Sequence, residues 1–128
     1  MVRKEAREFV MQVLFQMDAQ KDFENTDFEK CIGEKKLGGQ KEYVMSALSN
    51  TVSHLAEIDG IIDEKSEGWP SKRMAKTDLA VMRLAVCEIK YFDDIPKAVT
   101  VNEAVELAKV YGTDASPKFI NAVLAKID

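Results

Sequence analysis

Apolar side chains recur along this chain at three- and four-residue intervals almost from end to end, the spacing of one face of an α-helix. Ala6, Phe9, Val10, Val13, Leu14 and Met17 make the first stripe and predict a helix over residues 3–17. Asn25-Thr26 interrupts it, and Thr26 with Glu29 three residues on is a capping box opening a short helix through Phe28 and Ile32, which Gly38-Gly39 ends. A long helix is predicted from Gln40, striped by Val44, Ala47, Leu48, Thr51, Val52, Leu55, Ile58, Ile61 and Ile62 and stopped at Gly68-Trp69-Pro70. The next segment, capped by Thr77 or Asp78 and reaching Tyr91, is apolar nearly all round, which marks a central buried helix. After the turn Asp93-Asp94-Ile95-Pro96, Thr100 and Glu103 form a second capping box. Val101, Ala104, Val105 and Ala108 carry the stripe behind it, and Gly112 is the expected left-handed stop. Ser116-Pro117 reads as an N-cap with proline at the first helical position, ahead of Phe119, Ile120, Val123, Leu124 and Ile127. No period-two strand and no internal repeat appears, so the fold class is all-α: one domain over 1–128, six or seven helices, sequential ones packed as neighbours.

Composition narrows what such a bundle does. The 128 residues are 46% hydrophobic and 31% charged, the balance of a globular chain with room for a proper core. No run of about 18 apolar residues predicts a membrane span, and the N-terminus lacks the apolar core of a secretion signal. Cys31 and Cys87 stand in no ligand spacing and read as reduced thiols, for which the cytoplasm is the natural compartment. Enzyme signatures are absent. His54 is the one histidine and reads as a surface or boundary residue, Gly38-Gly39 lacks the lysine of a phosphate loop, and no cluster suits a metal or cofactor. Glu103 and Glu106, with Lys109 beside them, read as a solvated charged face rather than a catalytic pair.

A net charge of −4 argues against coating nucleic acid by bulk electrostatics but leaves room for a local basic patch. At 100° per residue, Arg3, Lys4, Arg7, Met11 and Phe15 fall within an arc of about 120° on the first helix. Two readings fit. The helix presents cations for phosphates and an aromatic ring for an unpaired base, which suits single-stranded RNA; or it is a solvated helix start with Met11 and Phe15 packed under a neighbour. Lys72, Arg73 and Lys76 form a second basic cluster, equally readable as solvated. Ser116 and Lys118 stand at a helix N-terminus that attracts phosphate, although capping alone explains Ser116.

Asp94-Ile95-Pro96 is followed by Val101-Asn102-Glu103-Ala104-Val105-Glu106-Leu107-Ala108-Lys109, then Tyr111-Gly112, then Ser116 through Leu124. This run resembles the closing signature of the NusB family of bacterial transcription antitermination factors. Val101, Ile120 and Ala122 stand where the family pattern has isoleucine, valine and glycine. Asp78-Leu79-Ala80-Val81-Met82-Arg83-Leu84-Ala85 with Glu88 and Tyr91 resembles the family's central helix, and Arg3, Ala6, Arg7, Gln12 and Leu14 its opening, so the likeness is tight after 78 and loose between 18 and 68. The resemblance implies two helical subdomains of about three helices each and no catalytic activity. It implies binding of boxA-type single-stranded RNA together with NusE, a small-subunit ribosomal protein, in a complex that joins RNA polymerase. It further implies that Arg3, Lys4, Arg7 and Phe15 belong to an N-terminal RNA element, with Ser116, Lys118 and Phe119 also at the RNA. It implies that Asp78 belongs to the RNA or partner surface, for which Lys72 and Lys76 of the second basic cluster are further candidates. Here only three cations open the chain, interrupted by Glu5 and Glu8, so binding is expected to lean on the partner. The alternative is a protein-interaction scaffold, such as a homodimer, or a detached module like the helical domain fused to RNA cytosine methyltransferases, with little RNA affinity of its own.

Overall fold

A computed structural model describes residues 1–128, and every regular element in it is helical. The elements are α1 (Arg3–Ala19), α2 (Phe28–Ile32), α3 (Lys41–Ser53), α4 (Leu55–Lys65), α5 (Lys76–Tyr91), α6 (Lys97–Tyr111) and α7 (Ser116–Ala125). Two single 3₁₀ turns, Gly38–Gln40 and Ser71–Arg73, precede α3 and α5. No helix is long and apolar enough to cross a membrane.

The all-round apolar segment is the axle of the molecule. Every residue of α5 from Asp78 to Glu88 is buried. Packed against it are α1 and α3 on one side, with α2 resting on α3, and α4, α6 and α7 on the other. The expected two helical groups are therefore present, with α5 shared between them. The core is one cluster of 31 residues that includes Leu14, Leu48, Ile58, Met82, Ile120 and Leu124. Burying each such side chain contributes roughly 1.5–3 kcal/mol.

The stripes predict the helices well; the ends differ where tertiary contacts recruit the capping residues. The long helix predicted from Gln40 is two, broken at His54 (φ −116°, ψ 24°). The imidazole there lies over the Tyr91 ring, centroids 4.2 Å apart, and its Nδ1 sits 3.0 Å from the Asn50 carbonyl oxygen. The apolar register passes through the break unaltered, because Ile58 and Ile62 still face the core. At α2 the cap is Asp27 rather than Thr26, its Oδ1 accepting the Lys30 amide at 3.2 Å. At α5 neither Thr77 nor Asp78 caps; the helix follows extended Ala75 directly. Helix α6 starts at once after Pro96, three residues before the expected box, and Thr100 is buried within it. Gly112 is not left-handed; its φ is −97°. Glycine is required there for space, since a Cβ would lie 2.4 Å from Ser116 Oγ and 2.8 Å from the Ala108 carbonyl oxygen. Ser116 is the first residue of α7 rather than its cap.

Candidate functional site

The start of α1 does not display the free basic arc that its spacing suggests. Arg3 is half-buried, its Nε donating to Gln40 Oε1 at 2.6 Å and its guanidinium 4.2 Å from the Tyr43 ring centre. Arg7 is 6% exposed, and its Nε donates to Glu88 Oε2 at 2.7 Å. Burial alone works against the Arg7 charge, but the hydrogen bond and the charge of Glu88 outweigh it and raise the Arg7 pKa. Met11 is buried in the core, as the packed reading of the arc expects. Of the three cations only Lys4 stays exposed. It shares a cleft of about 190 Å³ with Glu5, Glu8, Glu103, Glu106 and the edge of Arg7, over Leu107 and Val110. Glu103 and Glu106 are partly buried beside α1, and Glu106 keeps an exposed pairing with Lys109 at 3.5 Å, as the charged-face reading expects. Helical spacing could not tell an arc facing water from one facing a partner helix.

Further along α1, Gln12 donates its amide to the Tyr111 hydroxyl at 2.8 Å, tying the middle of α1 to the end of α6. Phe15, one turn later, is half-buried. The last turn of α1 is fixed by Arg83 of α5. Its Nε and Nη2 each meet an Asp59 oxygen at 2.8 Å, and its Nη1 meets Asp18 Oδ2 at 3.1 Å. The exposed Lys76 ammonium lies 3.7 Å from the same Asp18 oxygen.

The other candidates converge where α5 and α7 begin. Ser116 Oγ accepts the Thr113 amide at 2.9 Å and donates to Asp78 Oδ2 at 3.0 Å, so the two helix starts are joined by buried side chains. The second oxygen of Asp78, Oδ1, is buried without a hydrogen-bond partner. Asp78 lines a cleft of about 390 Å³ walled by Trp69, Met74 and Phe119, with Arg73 beside it. Lys72 and Lys118 are exposed. Lys118 also lines an open groove of about 740 Å³ between α6 and α7, together with Asn102 and Asn121. Sequence reasoning took Trp69 only as part of a helix stop. It is 53% exposed, and the signal was a large aromatic beside proline at the head of a basic segment. Arg73, Asp78, Ser116 and Phe119 are therefore brought to one cleft with Trp69, whereas Lys72 and Lys118 are exposed outside its lining, and Arg3, Lys4 and Arg7 do not line it either.

Comparison with known proteins matches residues 4–128 to the NusB family model. The chain belongs to the NusB family. The transcription antitermination protein NusB of Agathobacter rectalis is 45% identical over 98% of this chain and 98% of its own length. That of Alkaliphilus oremlandii is 47% identical over 98% and 92%. Among solved structures, T. maritima NusB superposes with a TM-score of 0.88 at 32% identity, covering 98% of this chain and 89% of that one. A chain from the crystal structure of antitermination factors NusB and NusE in complex with dsRNA superposes with a TM-score of 0.83 at 27% identity, covering 96% and 92%. The NusB family is one of transcription antitermination factors and is not known as enzymatic.

Proposed function

We propose that this chain is a non-enzymatic RNA-binding adaptor that promotes transcription antitermination. On this reading it binds boxA-type single-stranded RNA of nascent ribosomal transcripts together with NusE, and the assembly joins the RNA polymerase elongation complex in the cytoplasm. The observation that carries the reading is the end of the molecule where α5 and α7 begin, with two aromatic side chains, Trp69 and Phe119, lining one cleft beside Arg73. Lys72 and Lys118 are exposed nearby in sequence on the same two segments. Exposed cations neutralise phosphates, and aromatic faces stack unpaired bases for roughly 1–3 kcal/mol each. Asp78, in the lining of the same cleft, holds Ser116 and with it the start of α7 in place. The relative solved with NusE and dsRNA supports RNA as the class of ligand and NusE as the partner. The net charge of −4 and the internal commitment of Arg3 and Arg7 favour a shared RNA surface to which NusE contributes, rather than strong binding by the chain alone.

The test is a pair of substitutions read by RNA titration in the presence of NusE. Lys118→Ala is expected to weaken binding and to lower the salt slope by about 0.7, the share of one phosphate contact on a single strand. Phe119→Ala is expected to cost about 1–3 kcal/mol of affinity with the slope retained. Unchanged affinity for both variants, with helicity intact, contradicts the assigned surface.

A further inference from the structure

The open groove between α6 and α7 holds about 740 Å³, against about 390 Å³ for the cleft beside Trp69. Its floor is aliphatic: Ala98, Val101 and Val105 of α6 face Pro117 and Ala125 of α7. The two helices run antiparallel, because Lys97 Nζ at the start of α6 donates to the Ala125 carbonyl at 3.2 Å and to that of Ile127, at the end of α7. Ala98 and Val105 therefore mark opposite ends of the groove, about 10 Å apart along α6.

The rim selects for acid. No acidic side chain lines the groove, although the chain as a whole carries a charge of −4. The charged residues of its lining are Lys97 and Lys118, one at each end. Lys97 spends two of its three N–H donors on the α7 carbonyls and keeps the third. Beside it the first turn of α6 has no side-chain cap, so the positive end of that helix dipole is unanswered. Asn102 and Asn121 are exposed on the two facing helices and offer amides to a visiting backbone. Nucleic acid fits poorly, since no aromatic ring lines the groove for a base to stack on. An amphipathic helix fits well: about two turns match the length from Lys97 to Val105, with aliphatic side chains down and carboxylates at the rim. Such a contact falls well below the roughly 1,200 Å² of a stable interface, so it is weak alone. Within an assembly already tied together by RNA and NusE it becomes intramolecular, and a weak contact suffices.

We propose that the α6–α7 groove docks an acidic amphipathic helix of a protein in the transcription complex, its aliphatic face on Val101 and Val105 and a carboxylate at Lys97. The proposal rests on the adaptor function argued above. It gives that adaptor a third contact, beside those with RNA and NusE.

The experiment takes two measurements on the full chain. One is the affinity for a boxA-type single-stranded RNA with NusE at several salt concentrations. The other is terminator readthrough on a boxA-bearing template, in an extract of the cells that make this protein, depleted of it and supplied with each variant at a subsaturating level. The variants are Ala98→Glu, Ala98→Lys and Val101→Ser, each shown to be folded by circular dichroism. Ala98 is exposed in the first turn of α6, so either charge is accommodated, and it lies beyond a Debye length of about 8 Å from the Lys118 end. All three are expected to bind RNA within about twofold of the parent. Readthrough should fall about tenfold for Ala98→Glu, where like charges meet, and about threefold for Val101→Ser, and Ala98→Lys should match or exceed the parent. Parental readthrough in both Ala98→Glu and Val101→Ser overturns the proposal. So do equal losses in Ala98→Glu and Ala98→Lys, because the sign of the charge is then not read. An RNA salt slope that rises by about 0.7 from Ala98→Glu to Ala98→Lys puts RNA in the groove, and loss of the affinity that NusE adds puts NusE there; either overturns it. If Val101→Ser fails to fold, the Ala98 pair decides. No RNA binding and no readthrough by the parent chain defeats the underlying function instead, an outcome distinct from the others.

Discussion

Arg83 offers the sharpest test of how the bundle is held. It is 7% exposed and grips Asp59 with both arms of its fork at 2.8 Å, while its remaining Nη holds Asp18 at 3.1 Å. It joins α4 and the end of α1 to α5, with Phe23 under the guanidinium at 5.0 Å. Arg83→Ala removes three charge-assisted hydrogen bonds and leaves two carboxylates facing each other. Breaking a buried pair costs about 3–5 kcal/mol. The surviving carboxylates are partly wet, with side chains 17% and 25% exposed, and rehydration returns some of that. The expected loss is therefore about 2–4 kcal/mol, a large part of the 5–15 kcal/mol that holds a typical domain together. At about 3–5 °C per kcal/mol for this size, the melting temperature should fall by roughly 6–20 °C. Arg83→Lys keeps the charge but not the fork and should lose about 1–2 kcal/mol. Urea unfolding followed by circular dichroism measures both. A loss under about 1 kcal/mol for Arg83→Ala, or equal losses for the two variants, refutes the idea that the fork holds these helices.

Three further outcomes follow from single contacts. Gly112→Ala forces a Cβ against Ser116 Oγ and the Ala108 carbonyl, so α6 and α7 must part; the expected cost is about 1–3 kcal/mol, and a melting temperature unchanged from the parent contradicts the close approach. Thr100→Val leaves one Glu88 oxygen without its donor and should destabilise by about 1–3 kcal/mol, whereas thermal denaturation at the parent temperature would show that the hydroxyl is dispensable. Burial pushes the Cys87 thiol up to about 11, so in the native protein a thiol reagent at pH 8 should label half-buried Cys31 and spare Cys87 until unfolding. Because folding favours the neutral Cys87 thiol, its contribution is present below the ordinary value of 9.0 and is lost as pH rises toward about 11; equal labelling rates for the two thiols contradict this.

The helices were legible because their cause is local. Stripes such as Val10, Leu14 and Met17 need only a 3.6-residue period, and α5 announced its central place by being apolar on every side. Caps were less legible because the same side chains serve distant partners. Thr100 has the sequence context of a cap, yet its hydroxyl is taken by Glu88. The break at His54 depends on a ring stacked on Tyr91, 37 positions away, which periodicity does not register. Arg7 shows the limit for the candidate site. Its partner Glu88 lies 81 residues further on, and a helical wheel carries no sign of it. Asp78 and Phe119 were named from family likeness alone and Ser116 from its place at a helix start; the Asp78–Ser116 hydrogen bond and the exposed Trp69 give the cluster a physical form.

The central claim is that this chain offers a partial RNA surface that NusE completes. Its most direct test is the affinity of one boxA-type single-stranded RNA for the chain alone and for an equimolar mixture with NusE, at the same salt. The account predicts binding at least about tenfold tighter with NusE, lost in both conditions when the RNA is replaced by one of scrambled sequence. Equal affinity with and without NusE, or no binding in either case, contradicts it.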